Sequence, residues 1–268
     1  MTRRLRLDVE LVRRGLARSR EHAAELIAAG RVTVSGIGAT KPATGVATDV
    51  PLMVRDDPGM PDYVSRGGHK LAGALGVFAP RGLVVQGRTV LDAGASTGGF
   101  TDVLLRLGAR RVFAVDVGYG QLAWALQQDE RVRVIDRTNV RELTSDLVPE
   151  AAGLVVADLS FISLTRVLPA LCRVAADDAD LVVMVKPQFE VGKNRLGRGG
   201  VVREPALRIE AVTTVAERAE PLGLGVEDVC ASPLPGPSGN VEYFLWLRRG
   251  AAPLEPGTVR DVVASGPQ

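Results

Sequence analysis

The sequence is poor in the residues that build disulfide scaffolds and zinc sites. Its 268 residues include only two cysteines, Cys172 and Cys230, and two histidines, His22 and His69. Both cysteines lie in apolar segments, so we expect buried free thiols and no disulfide. With so few sulfur and imidazole ligands, we also expect no zinc site and predict a protein without a metal.

Long apolar runs are missing as well. The sequence contains no run of about 18 apolar residues, which excludes a membrane-spanning helix. The basic N-terminus leads into a charged segment and not into the apolar core of a secretion signal. We therefore expect a cytoplasmic protein without a membrane partner, and we favour a monomer. The apolar content of 46% is enough for a core, and the length suits one ordinary domain plus a small one.

The net charge is only +2, but basic residues are concentrated near the N-terminus. Residues 1–35 contain eight arginines and four acidic residues, which gives this segment a charge of +4. Arginine clustered at one end of a chain is typical of a nucleic-acid contact. It is equally typical of an ordinary solvated helical face, and charge alone leaves both interpretations open.

The N-terminal segment predicts a small α+β domain, residues 1–60. Its expected elements are helices over 9–14 and 20–29, capped by Asp8 and Ser19, and strands over 31–34 and 51–54. A polar segment with two prolines, residues 56–61, follows as a linker.

This segment resembles the small RNA-binding domain named after ribosomal protein S4. The match includes Arg6-Leu7-Asp8, Gly15-Leu16-Ala17-Arg18-Ser19-Arg20 and Gly30-Arg31-Val32-Thr33-Val34-Ser35-Gly36. In that family a pair of arginine-bearing helices lies on the RNA backbone. The resemblance implies that the RNA-binding residues are Arg4, Arg14, Arg18 and Arg20.

The second predicted domain, residues 61–250, is organised around one glycine-rich turn. An apolar run ending at Asp92 predicts a buried strand, and the apolar spacing over 100–107 predicts a helix. Strand, glycine turn and helix are the opening unit of a nucleotide-binding, doubly wound sheet, so the fold class is α/β. Further strands are expected over 111–116, 132–135, 153–157, 180–185, 226–230 and 241–248. Residues 251–268 offer few contacts, and we expect a disordered tail there.

The turn favours S-adenosylmethionine (SAM) over a dinucleotide. Ser96 replaces the second glycine of the G-x-G-x-x-G fingerprint, the glycine that lets the backbone approach a pyrophosphate. Asp92 would repel a pyrophosphate but suits the cationic amino acid end of SAM. Asp116, 22 residues after Gly94, stands where a carboxylate binds ribose hydroxyls, and Asp136 can bind the adenine amine. The predicted SAM-binding residues are Asp92, Gly94, Ala95, Ser96, Thr97, Gly98, Gly99, Phe100, Asp116 and Asp136.

Four charged residues are expected at the edge of the sheet where parallel strands end. Asp158 and Lys186 each follow a predicted strand, Glu242 starts the last strand, and Lys70 starts the helix before the first strand. Each of them alone would be interpreted as part of a surface ion pair. Four together at the edge where open α/β sheets bind ligands indicate a site.

With these motifs the chain resembles the TlyA-type 2′-O-ribose methyltransferases, relatives of the FtsJ rRNA methyltransferases. The matching segments include Asp116-Val117-Gly118-Tyr119-Gly120-Gln121-Leu122, Ala157-Asp158-Leu159-Ser160-Phe161-Ile162-Ser163 and Lys186-Pro187-Gln188-Phe189-Glu190. The Lys-Asp-Lys-Glu tetrad of the family falls on Lys70, Asp158, Lys186 and Glu242. The resemblance implies a Rossmann-like domain that uses SAM to methylate cytidine ribose in 16S or 23S rRNA, or both, with ribosomal subunits as partners.

The chemistry of a ribose hydroxyl explains why such residues are needed. The 2′-hydroxyl attacks only when its proton is removed, and a lysine accepts a proton only as the free amine. A second ammonium nearby favours that neutral form. We therefore expect one of the two lysines, Lys70 or Lys186, to accept the proton, with Lys186 as the candidate to test, while Asp158 and Glu242 orient the lysines and the ribose.

Two alternatives remain. One is a noncatalytic ribosome-binding protein, against which the intact tetrad argues. The other is a membrane-lytic haemolysin, because some family members carry that name. The lack of an amphipathic or membrane-spanning segment argues against it.

Overall fold

The hydrophobic residues of the chain form separate cores in two units, residues 1–62 and 63–268. The computed structural model describes residues 4–17, 19–55 and 61–267. The division lies next to the linker that the sequence predicts.

The first unit is a pair of helices packed on short strands. Ser19 caps the second helix as predicted, because its Oγ accepts a hydrogen bond from the His22 N–H at 3.1 Å. Apolar residues from both helices and from the strands meet in one core, which includes Leu7, Leu11 and Ile27. In chain order the elements are β1 (Arg4–Arg6), α1 (Leu7–Arg13), α2 (Arg20–Ala28), β2 (Val32–Val34), β3 (Ile37–Gly38), β4 (Gly45–Ala47) and β5 (Leu52–Val54).

The second unit is a seven-stranded sheet with helices on both faces. In chain order its elements are α3 (Arg66–Phe78), β6 (Thr89–Ala93), α4 (Gly99–Arg106), β7 (Arg111–Val115), α5 (Trp124–Gln127), β8 (Val132–Ile135), β9 (Ala152–Ala157), α6 (Leu168–Val174), β10 (Ala175–Val185), α7 (Pro187–Glu190), α8 (Pro205–Ala219), β11 (Leu224–Ala231), β12 (Tyr243–Arg249) and α9 (Pro256–Ser265). The strand order is β11-β12-β10-β9-β6-β7-β8. Strands β6 to β10 are parallel, and β12 runs antiparallel to both of its neighbours.

The strands are apolar on both faces because both faces are covered. In β6, Leu91 belongs to the core on one face and Val90 to the core on the other. This alternation explains why the strands appear in the sequence as continuous apolar runs. Each fully buried side chain of this kind contributes about 1.5–3 kcal/mol.

The C-terminal segment differs from the sequence expectation. A disordered tail over 251–268 was expected, but residues 256–265 form the helix α9, with Val259 and Val263 buried in the main core. The Ala252 carbonyl also accepts a hydrogen bond from the Val226 N–H of β11 at 2.8 Å. The expectation was wrong because it relied on composition and overlooked the helical spacing of the valines.

Within residues 4–17, 19–55 and 61–267, no helix is long and apolar enough to cross a membrane. In the same described ranges, no three or more His, Cys, Asp or Glu side chains are grouped so that they could hold a metal ion.

Candidate active site

The glycine-rich turn after β6 is compressed against three neighbouring elements. Gly94 has φ +89°, and a Cβ there would collide with the carbonyl oxygen of Asp158. A Cβ at Gly98 would collide with Leu126 of α5, and one at Gly99 would collide with Ser65 before α3. These glycines are therefore required by close packing and left-handed backbone, independently of any ligand.

A cavity of about 620 Å³ opens beside this turn at the carboxyl edge of the sheet. Asp116 faces it, and the Asp116 carboxylate accepts hydrogen bonds from the N–H groups of Ser96 (2.8 Å) and Gly118 (2.7 Å). A carboxylate has about four lone-pair positions, so Asp116 keeps acceptor capacity for a ligand. The lining residues are Gly94, Ser96, Asp116, Val117, Gln121, Asn139, Val140, Arg141, Asp158, Leu159, Ser160, Phe161, Ile162, Arg166 and Val167.

Only part of the predicted cofactor set lines this cavity. Gly94, Ser96 and Asp116 do so, whereas Ala95, Gly98, Gly99 and Phe100 are buried behind the turn and Thr97 is exposed outside the lining. Asp136 is also outside the lining, and its Oδ2 accepts a hydrogen bond from the Gly120 N–H at 2.8 Å. From the segment after β8, Asn139 and Val140 line the cavity instead. The sequence analysis missed Asn139 because it considered only the acid at the strand end.

Asp92 is fully buried under the turn. Its Oδ2 accepts a hydrogen bond from Thr101 Oγ1 at 2.6 Å, while its Oδ1 has no hydrogen-bond partner among the described residues. Burial raises the pKa of the Asp92 carboxyl to about 7. Asp92 does not line the cavity, so its carboxyl would act on a ligand there through its charge, and a cation would favour the ionised carboxylate.

The strand register brings the four predicted catalytic residues to one edge. Asp158 and Lys186 directly follow the neighbouring parallel strands β9 and β10. Glu242 directly precedes β12, whose first residue Tyr243 pairs with Val185, the last residue of β10. The backbone of Glu242 therefore lies beside that of Lys186.

The tetrad forms two lysine–carboxylate ion pairs. Lys70 Nζ lies 2.6 Å from Glu242 Oε2, and both side chains are buried. Lys186 Nζ lies 2.6 Å from Asp158 Oδ1 and donates a hydrogen bond to Ser160 Oγ at 2.9 Å. We expected Lys70 to act on Lys186 through its charge, whereas the structure gives each lysine a carboxylate partner of its own. Such pairs hold the lysines in fixed positions, and Ser160 had not been predicted from the sequence.

The predicted RNA-binding arginines have different environments. Arg4 is exposed and donates to the Gly45 carbonyl. The guanidinium of Arg14 is engaged inside the first unit by Glu10 and by the carbonyls of Val50 (2.7 Å) and Thr48 (2.9 Å). Arg18 lies outside the described residues.

Arg20 is exposed and is held by Asp8, which is not the predicted helix cap. Helix α1 begins at Leu7, and the buried Asp8 Oδ2 lies 2.9 Å from Arg6 Nη2 and 3.0 Å from Arg20 Nη2. The Arg6 guanidinium, followed by that of Arg20, lowers the pKa of the Asp8 carboxyl to about 2. The aspartate therefore fixes two exposed guanidinium groups side by side, and Arg6 is a cationic residue that the sequence analysis missed.

The fold of the second unit is that of a Rossmann-like methyltransferase. Five parallel strands, a reversed strand next to the edge strand, and a site at the carboxyl ends of the strands define this class. Two family models match the chain and agree with this fold. The model of the FtsJ-like methyltransferase matches residues 63–249, and that of the S4 domain matches residues 5–49.

Individual relatives are similar to this chain over nearly its whole length. The chain is 61% identical to the 16S/23S rRNA (cytidine-2′-O)-methyltransferase TlyA of Mycobacterium tuberculosis, over 92% of this chain and 91% of the relative. It is 35% identical to Hemolysin A of Brachyspira hyodysenteriae, over 90% and 98%. A solved hemolysin-named structure from Streptococcus thermophilus superimposes with a TM-score of 0.76 at 38% identity, over 98% and 96%. The chain belongs to the FtsJ-like methyltransferases and carries an S4 domain at its N-terminus.

Proposed function

We propose that this methyltransferase transfers a methyl group from SAM to the 2′-hydroxyl of cytidine ribose in rRNA, in 16S rRNA, 23S rRNA or both. The observation that carries the proposal is the pair of lysine–carboxylate contacts at the carboxyl edge of the sheet, one of which includes the cavity-lining residue Asp158. The M. tuberculosis relative with this activity in its name supports the choice of substrate. We infer that ribosomal subunits in the cytoplasm are the partners.

The cavity offers polar groups that suit SAM. SAM supplies an electrophilic methyl group on a sulfonium and carries no phosphate. Asp116, with acceptor capacity left at the cavity wall, would bind the ribose hydroxyls of the cofactor. The buried carboxyl of Asp92 would favour its cationic end. Asn139 and Val140 form the part of the wall that we assign to adenine in place of Asp136.

The tetrad supplies a proton acceptor and the groups that hold it. As the free amine, Lys186 would take the proton of the ribose 2′-hydroxyl at Nζ, the atom that Asp158 and Ser160 fix next to the cavity. A neighbouring carboxylate opposes that neutral form, so we assign Asp158 the task of orienting Nζ and not of activating it. Glu242 would orient Lys70, which is buried beside it. The main remaining requirement for methyl transfer is then to position the hydroxyl in line with the methyl–sulfur bond of SAM.

Asp116→Ala should weaken SAM binding without unfolding the second unit. The substitution removes a carboxylate from the cavity wall, and a ligand selective for the native state raises the melting temperature by mass action. Thermal shift of the full chain should show a large shift with SAM for the wild type and a much smaller one for the variant. Asp146→Ala, at an exposed aspartate, is the matched control. A shift with NAD instead of SAM would contradict the cofactor assignment.

Arg20→Ala should weaken binding to ribosomal subunits. Each backbone phosphate contact that is lost removes about 0.7–0.9 from the slope of log affinity against log salt. Titrations at several salt concentrations measure that slope, and Arg260→Ala at an exposed position of α9 serves as the control. An unchanged slope for Arg20→Ala would show that this arginine does not contact the RNA backbone.

The reaction itself is tested by mapping 2′-O-methyl groups on rRNA from cells with and without the gene. One or more cytidines should carry the modification only when the gene is present. The same sites should be methylated in vitro by the purified chain with SAM and isolated subunits. Identical maps in both strains would contradict the proposed function.

A further inference from the structure

Two chain segments carry one catalytic ion pair between them. The neighbouring parallel strands β9 and β10 end at Ala157 and Val185, and they continue into residues 158–163 and 186–191, here called the acid loop and the lysine segment. Asp158 begins the acid loop and Lys186 begins the lysine segment. Their pairing is useful for catalysis only if both segments keep fixed positions beyond the strand ends.

Three contacts join these segments, in the same order along both. They are the contacts of Lys186 with Asp158 and Ser160, of Phe189 with Phe161, and of Glu190 with Ser163 and Leu164. The first contact belongs to the tetrad. The second is a ring contact with centroids 5.4 Å apart. The third has no assigned role.

Glu190 fastens the far end of the acid loop. Its Oε2 accepts a hydrogen bond from Ser163 Oγ at 2.5 Å, and its Oε1 accepts one from the Leu164 N–H at 2.9 Å. Hydrogen bonds to a carboxylate are stronger than those between neutral groups. Glu190 is not among the cavity-lining residues, and its two hydrogen bonds go to the far end of the acid loop, so we assign it an effect through the loop that it holds.

The acid loop is strained between its two fastened ends. At its start the Asp158 N–H donates to the Ala93 carbonyl at 3.0 Å. Between the ends, Phe161 has φ +64° and an exposed ring. A residue other than glycine in this region costs about 1–3 kcal/mol and keeps that conformation only when its surroundings impose it. Releasing the end at Glu190 would let the loop relax and carry Ser160 away from Lys186.

We propose that Glu190 is a positioning residue that holds the acid loop so that Asp158 and Ser160 stay on Lys186. The inference rests on the proposed function, because it assigns Glu190 a task in the same reaction. A carboxylate suits the task better than an amide, since the two donors bind different oxygens of Glu190 and glutamine offers an acceptor at only one of these positions.

The test uses the full chain with Glu190→Ala, Glu190→Gln, Ser163→Ala and the Glu190→Ala/Ser163→Ala double variant. Single-turnover rates are measured with SAM and ribosomal subunits saturating. Misplacement of reacting groups by about 1 Å can cost about 10²-fold, so we expect a loss of that order for Glu190→Ala and a smaller one for Glu190→Gln. The double variant should be no slower than Glu190→Ala, because both substitutions release the same contact. Glu210→Ala, at an exposed glutamate, is the control and should keep the wild-type rate.

Hydrogen exchange gives a readout that does not depend on activity. In Glu190→Ala, amides of residues 159–164 should exchange faster while those of β9 and β10 keep their protection. A wild-type turnover rate for Glu190→Ala, or unchanged exchange over 159–164, would overturn the inference. A wild-type chain that methylates no rRNA would overturn the proposed function instead, and the exchange result would still decide whether Glu190 holds the loop.

Discussion

Lys186→Ala should lose about 10²- to 10⁴-fold in turnover while SAM and ribosomal subunits still bind. This is the usual cost of removing a general base. Lys186 Nζ contacts Asp158 and Ser160 at the edge of the cavity, and no other lysine contact to either of them is described. Single-turnover kinetics with labelled SAM measure the loss, and thermal shift with SAM shows that the site is still folded.

Lys186→Arg separates a base from a cation that merely holds phosphate. Guanidinium stays protonated in proteins and cannot accept the ribose proton, so we expect this variant to be nearly as slow as Lys186→Ala. Lys193→Arg makes the same change at an exposed lysine and should keep the wild-type rate. A Lys186→Arg enzyme with near-normal activity and an unchanged pH–rate profile would disprove the base assignment and leave the methyltransferase assignment in place.

Asp92→Asn should stabilise the protein at pH 8 while it weakens SAM binding. The folded-state pKa of Asp92 is raised from 3.8 to about 7, so the folded chain holds this proton at pH values where the unfolded chain has lost it. The protonated Asp92 carboxyl therefore makes its full contribution to the free energy of unfolding below about pH 4. This contribution falls as the pH rises towards 7, and the free energy of unfolding no longer changes with this group above that. At about 1.4 kcal/mol per pKa unit, ionising this buried group costs up to about 4 kcal/mol at pH 8.

Melting temperatures at pH 5 and pH 8 test this result. Asparagine cannot ionise and can still accept the hydrogen bond of Thr101, so the gain of Asp92→Asn over the wild type should be larger at pH 8. Asp146→Asn, at an exposed aspartate, should show no such dependence on pH. Equal destabilisation of Asp92→Asn at both pH values would mean that the carboxyl serves packing alone.

The sequence predicted the order of the elements and the strands that position the site. Parallel strands end at one edge, so Asp158 and Lys186 could be placed together from the apolar runs that precede them. The position of Glu242 depended on β12 lying next to β10, and this pairing between distant segments has no local sequence signal. The sequence analysis placed Glu242 at the start of the last strand, and the resemblance assigned it to the tetrad, but its pairing with the end of β10 came only from the structure.

Side-chain partners were harder to predict than strands. A rule based on cap preference assigned Asp8 to a helix end, but Arg6 at the end of β1 and Arg20 in α2 bind its oxygens and hold it in the first turn. Arg14 was a candidate because the S4 resemblance places arginine-bearing helices on RNA, and its engagement with the Val50 and Thr48 carbonyls depends on a loop distant in sequence. Such partners are fixed by tertiary contacts, which composition and periodicity do not contain.

The C-terminal helix α9 and the segment before it cover part of the outer strand of the sheet. β11 is the outer strand of the sheet, and an uncovered outer strand offers unpaired N–H and C=O groups to another chain. Residue 252 takes up the Val226 N–H, and α9 adds buried valines beside the same strand. A chain shortened after residue 250 would lose both contacts while keeping every residue of the tetrad. Such a chain should aggregate at concentrations where the 268-residue chain stays dispersed. An affinity tag should therefore be added after α9 and should not replace it.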